Sequence, residues 1–133
     1  MNLTFKTHKS ADVILDFLTD MQKFVSVHPV ITHIKQTGEN NYEFFETLKL
    51  GFIPFSFTYP VIIESNPANK TVVMRATIMK LTKIELTFFI TTDKDFCVIE
   101  EAIHFKSPLP VKSIMQRIFK KQHTQLFKNI ERL

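Results

Sequence analysis

Residues 96–133 read FCVIEEAIHFKSPLPVKSIMQRIFKKQHTQLFKNIERL, and a change of period inside this stretch decides the fold. Up to Lys106 the period is two. Cys97, Ile99, Ile103 and Phe105 fall on one face, so Phe96–Lys106 reads as a strand. Pro108 and Pro110 break it. From Val111 to Leu133 the period is 3.6. At 100° per residue, Val111, Met115, Ile118, Leu126 and Leu133 share a narrow sector, while Arg117, Lys121, Lys128 and Thr124 lie opposite. The segment predicts one amphipathic helix about 32 Å long.

Upstream of it lies a run of long alternating segments. Residues 30–37, 42–50, 55–64, 71–78 and 81–92 each read as strands, and residues 2–7 as a first one. Turn residues separate them: Gly38-Glu39-Asn40-Asn41, Asn66-Pro67-Ala68-Asn69 and Asp93-Lys94-Asp95. Between the first two strands, Ser10 is placed to cap a helix over residues 11–19, and a second short helix fits Met21–Val27 before Pro29. Strands of 8–12 residues exceed the usual ~5–6 and coil as they twist. The expected fold is therefore α+β and of the helix-grip kind. A curved antiparallel sheet of about seven strands wraps one long C-terminal helix, with two short helices after the first strand.

The chain has 133 residues, which fits a single domain over 1–133. Hydrophobic residues make 44% and charged residues 23%, the balance of a globular rather than a disordered chain. The core is bulky, with 14 Phe, 2 Tyr and no Trp. Cys97 is the only cysteine, so no internal disulfide exists. The first residues lack a basic stretch followed by an apolar run, and no apolar window reaches the ~20 residues of a membrane span. A cytoplasmic location is expected. Residues 111–133 hold six basic groups against Glu131 alone, which leaves 11 of the 17 basic and 12 of the 13 acidic groups for the rest. The positive excess belongs to the last segment.

The order of elements resembles the START-like superfamily, which includes polyketide cyclases and lipid-transport proteins. Two stretches carry the resemblance. One is Ser10-Ala11-Asp12-Val13-Ile14-Leu15-Asp16-Phe17-Leu18 with His28-Pro29-Val30 entering a strand; the other runs from Ile114 to Phe127. Where relatives often carry Trp in the first helix, this chain has Phe17. The resemblance implies a ligand cavity between the sheet and the last helix. It does not imply one chemistry.

Several residues are candidates for that cavity. Phe44, Phe57, Phe88, Met74, Met79, Met115 and Phe119 are expected to line the space under the helix, where adaptable Met beside Phe suits an apolar ligand. The same residues would equally fill an ordinary core. Tyr59 and Glu46 lie on the inward faces of their strands, and Gln122 sits at the centre of the helix's apolar sector, with Asn129 near it. A lone inward carboxylate such as Glu46 must be paired, hydrated or protonated, and could bind a polar ligand group or move a proton. Glu100 and Glu101 are adjacent, so one faces inward; the period does not say which, and a salt bridge with Arg75 or Lys83 is the expected use. The five histidines show no metal spacing and are expected to be surface or packing residues. No phosphate loop, nucleophile elbow or paired-carboxylate motif occurs, so no cofactor, metal or catalytic set is assigned.

Three functions follow. The favoured one is binding or transport of a small lipid-like, isoprenoid or aromatic molecule, in a cavity of at least roughly 300 Å³. The second is a cyclase- or dehydratase-like enzyme using Glu46 as acid or base. The third is an interaction module using the basic helix face. That face, with Arg117, Lys121 and Lys128, reads either as a solvated surface or as a weak contact with an anionic membrane. Nucleic acid is not an expected partner, because Phe127 alone could stack beside the stripe.

Overall fold

In a computed structural model, which describes residues 1–50 and 52–133 with Leu50 by its backbone alone, ten elements follow one another. They are β1 (Asn2–Thr7), α1 (Ala11–Thr19), α2 (Met21–Val27), β2 (Ile31–Gln36), β3 (Asn41–Leu50), β4 (Ile53–Asn66), β5 (Thr71–Ile78), β6 (Thr82–Asp93), β7 (Phe96–Lys106) and α3 (Lys112–Glu131). The strands form one antiparallel sheet in the order β1-β7-β6-β5-β4-β3-β2. Six strands form a meander. β1 closes onto β7, with Leu3 opposite Glu101 and Phe5 opposite Ile99. This is the expected helix-grip arrangement.

The local chemistry explains the boundaries. Ser10 Oγ accepts from Val13 N at 3.2 Å, a cap worth roughly 1 kcal/mol to α1. Asp20 then serves two helices. Its N–H closes α1 on Asp16 O at 2.8 Å, and its Oδ1 caps α2 by accepting from Gln22 N and Lys23 N. β4 runs longer than its alternation suggested and carries Pro60 inside it. β5 pairs with β4 only from Val61 onward, so the missing N–H of Pro60 breaks no ladder bond.

The core lies on the concave face, between the sheet, α1–α2 and α3. Ile14, Leu18, Val72, Ile99, Leu126 and Ile130 are wholly buried there. α3 is anchored at its C-terminal half. Phe127 packs on Phe5 at 4.6 Å between ring centres, and Asn129 Nδ2 donates to Val27 O at 2.8 Å. Glu131 accepts from the Thr7 hydroxyl and from His8 N. Asn129 is thus a structural tie, not a pocket residue.

The buried face of α3 differs from the expected sector. Gln122, His123, Leu126, Phe127 and Ile130 are buried, whereas Leu133 is exposed and Met115 and Ile118 are half-covered. The true face is turned by roughly 70° from the sector centred on Gln122. The helix's N-terminal half lies toward the open end, so its apolar residues do not report the face that packs. Met79 is also displaced from the expected lining. It is exposed, at φ 53° in the β5–β6 turn.

Candidate functional site

Under α3 the sheet leaves a small chamber, partly open to the surface. Its wall includes Phe44, Glu46, Tyr59, Met74, Phe119 and Gln122, together with His28 and His123. Its volume is about 40 Å³, room for about two or three waters, which corrects the expectation of 300 Å³ or more. The Phe44, Tyr59, Met74 and Phe119 side chains themselves take up the space. Met115 does not reach the wall. Neither does Phe57, which stacks behind Tyr59 at 5.7 Å, nor Phe88, which packs on His123 and Phe127 at 6.2 and 6.3 Å.

Two polar pairs and one histidine give the chamber its chemistry. Glu46, on β3, accepts a hydrogen bond from Tyr59 Oη on β4 at 2.7 Å, both side chains being buried. The strand register brings them together. Glu46 lies opposite Phe57 and Phe44 opposite Tyr59, so Glu46 and Tyr59 are diagonal neighbours on one face. Burial pushes the Glu46 carboxyl above its ordinary value, against the lowering effects of the Tyr59 hydrogen bond and of His123. Burial also raises the Tyr59 phenol, and the Glu46 carboxylate raises it further.

The second pair is Glu101 on β7 and His123 on α3. Nδ1 of His123 lies 2.7 Å from Oε1 of Glu101 and 2.5 Å from Oε2. Oε1 takes the hydrogen bond; Oε2 is near the same nitrogen but has no aligned donor. The partner expected for this carboxylate was Arg75 or Lys83. Arg75 instead binds Glu64 and Glu85 on the outer face, at 3.2 and 3.1 Å. Glu101 faces inward because Leu3 and Phe88, its register partners on β1 and β6, fix the pleat.

His28 was expected to be a surface or packing residue. It sits where α2 turns into β2, and its Nδ1 accepts from Val30 N at 3.2 Å and Ile31 N at 3.1 Å. An acceptor nitrogen cannot carry a proton, so the neutral ring with hydrogen on Nε2 is selected. Burial, with His123 nearby, depresses its pKa to about 3. Its ring centre is 6.4 Å from that of His123. The signal that could have found both histidines is spatial. Nothing in their spacing along the chain links residues 28 and 123. The other three behave as expected: His8 binds Glu131 at the surface, and His33 and His104 are exposed.

Gln122 joins the chamber to the outside. It also lines an open groove of about 560 Å³ between Pro29, Val30, Leu48 and Lys49 on one side and Ile118 and Lys121 on the other. A second depression, about 460 Å³ beside Arg75 and His104, is open to solvent; Arg75 pairs with Glu85 in its wall, and Lys83 and Lys106 at its rim are exposed. The chamber under α3, with its polar wall, is therefore the candidate site. Among the described residues there is no cluster of His, Cys, Asp and Glu able to hold a metal ion, and no helix long and apolar enough to cross a membrane.

Solved structures share this architecture over almost the whole chain. A START superfamily protein from Mycobacterium smegmatis superposes with a TM-score of 0.75 at 15% identity, covering 98% of this chain and 93% of that one. The chain has a START-like fold. A conserved protein from Geobacillus kaustophilus gives a TM-score of 0.80 at 10% identity, covering 98% and 91%. The Streptomyces aromatase/cyclase Zhui gives 0.67 at 12%, covering 98% and 89%. No family model matches the sequence, and no curated protein matches it by sequence. At these identities the likeness is one of fold.

Proposed function

We propose that this START-like chain binds a small hydrophobic molecule with one polar end group, and acts as its carrier. The observation that carries the reading is the wall of the chamber. Apolar side chains surround Glu46, Tyr59, His28 and His123, so an apolar body and a polar head both find partners there. The ligand's body would occupy the groove beyond Gln122, and its head the chamber. Entry requires Gln122 and Phe119 to shift, since the chamber itself holds only a few waters. The lone buried Cys97 fits a reducing compartment, the cytoplasm.

A second reading is supported by one feature. Glu46, its carboxyl pushed above the ordinary value by burial and bonded to Tyr59, faces a chamber that also contains two histidines. That set could move a proton on a bound substrate, as a cyclase- or dehydratase-like enzyme would.

The test is native mass spectrometry of freshly purified protein, followed by displacement of anilinonaphthalene sulfonate with fatty acids, isoprenoid alcohols and polycyclic aromatics. A co-purified small molecule, or displacement that Glu46→Gln weakens without unfolding the chain, supports binding. No bound species and no probe uptake would defeat it. Turnover of the co-purified compound that Glu46→Gln abolishes would favour the enzyme.

A further inference from the structure

One pole of the molecule carries a surface that the chamber does not explain. Alternation of the meander puts the β3–β4 hairpin, the β5–β6 turn and the β7–α3 loop at the same end of the sheet, where α3 begins. Contacts join them. Thr82 Oγ1 and Ser107 Oγ are 2.9 Å apart, and Leu48 and Lys49 share a groove with Ile118 and Lys121.

The apolar side chains here point the wrong way for folding. Phe52 is fully exposed and Ile53 is 71% exposed at the hairpin; Met79 and Leu81 stand out from the turn, and Leu109 and Ile114 from the loop and first helical turn. With Phe55 they make seven of the twelve large hydrophobic side chains left exposed among the described residues. Met79 and Lys80 hold successive positive φ angles of 53° and 61°, closed by Leu81 N on Ile78 O at 3.1 Å. A turn of this shape favours Asn-Gly, so an apolar and a basic side chain are presented there at a conformational cost.

The charge is as one-sided as the apolar surface. Residues 47–56, 78–84 and 105–121 contain Lys49, Lys80, Lys83, Lys106 and Lys112, then Arg117, Lys120 and Lys121, and not one Asp or Glu. All eight are exposed, and none is in an ion pair among the described residues. The rest of the chain holds the other 9 of 17 basic groups and all 13 acidic ones. The molecule is therefore a dipole: a positive, apolar-tipped pole and a negative remainder.

We propose that this pole docks on an anionic lipid bilayer, with the hairpin, turn and loop tips entering the interface and the lysines meeting the headgroups. Exposed apolar tips ringed by one sign of charge match a surface that is anionic outside and apolar just below. Most of the tips are aliphatic, which suits acyl chains better than stacked bases. The proposal moves the membrane contact from the α3 stripe to the end of the molecule, and it stands whether or not the chamber holds a ligand.

The chain has no Trp, so Phe52→Trp provides a single reporter that keeps the tip apolar. With phosphatidylcholine vesicles containing phosphatidylserine, at low salt, its emission should shift to the blue and the protein should float with the vesicles. Lys49→Glu, Lys80→Glu and Lys112→Glu together should weaken binding at least ~100-fold. Phe52→Ser with Leu109→Ser should remove the binding that persists in high salt. Lys128→Glu with Arg132→Glu, at the far end of α3, should leave binding unchanged. Thermal melts show whether each variant is folded; these side chains are exposed, so all should be. An unshifted emission spectrum of the Phe52→Trp variant, equal binding to pure phosphatidylcholine, loss of binding on changing Lys128 and Arg132 instead, or capture of RNA with no vesicle binding overturns the proposal.

Discussion

Nδ1 of His123 lies 2.7 Å from Oε1 of Glu101, and both side chains are almost completely buried. This pair ties the middle of α3 to the middle of β7, the strand beside the β1 edge of the sheet. It is a buried ionisable pair, so removing one partner leaves an uncompensated polar group. Glu101→Leu is expected to lower stability by about 3–5 kcal/mol in urea unfolding. Glu101→Leu with His123→Leu should be markedly milder than that single change. Equal losses in the single and double variants would show that packing, not pairing, holds this site.

His28 makes stability depend on pH. The unfolded ring takes a proton near its ordinary value of 6.5, and the folded ring only near 3. Between those values the unfolded state binds more protons, so folding weakens as pH falls, by about 1.4 kcal/mol per pH unit. Above pH 6.5 the effect is absent. Surface exposure leaves His28 half-buried, so the full slope is an upper bound; the two N–H donors on Nδ1 fix its sign. His28→Asn, whose amide oxygen can accept the same bonds, should flatten the profile between pH 6.5 and 4.5. An unchanged slope contradicts the neutral ring.

Glu46 has the opposite sign. Its folded carboxyl holds a proton to higher pH than the unfolded one, so ionising it costs stability as pH rises through its titration. Glu46→Gln keeps an acceptor for Tyr59 Oη and removes that cost. Its melting temperature at pH 7 should equal or exceed that of the parent, with no gain at pH 4. A large loss at pH 7 would assign Glu46 a structural role.

Gln122 is the neck between chamber and groove. Gln122→Ala should join the two volumes and raise uptake and release rates of anilinonaphthalene sulfonate. Rates that stay as in the parent would place the entry route elsewhere.

The β5–β6 turn trades stability for its exposed side chains. Met79→Asn with Lys80→Gly should stabilise the fold by about 1–2 kcal/mol in chemical unfolding, since Asn and Gly tolerate positive φ. The same change should weaken vesicle binding.

The sequence by itself determined the elements and the inward faces of β3, β4 and β5. Alternation in residues 71–78 and 96–106 gives both strands with the boundaries found, because a side-chain period of two is a local property of extended backbone. Ser10 and Pro29 likewise mark the helix boundaries through bonds made within a few residues. The inward position of Glu46 and the apolar lining from Phe44 and Met74 follow from the same parity. Tertiary structure decided the rest. Which face of α3 is buried depends on β1 and α2 lying against its second half, and no average around the helix contains that. The partner of Glu101 was decided by α3 crossing β7, which brings His123 to it across 22 residues. His28 became part of the site because the α2–β2 corner folds under the same helix. The size of the chamber also came from packing alone, since the side chains that form its wall are the ones that fill it.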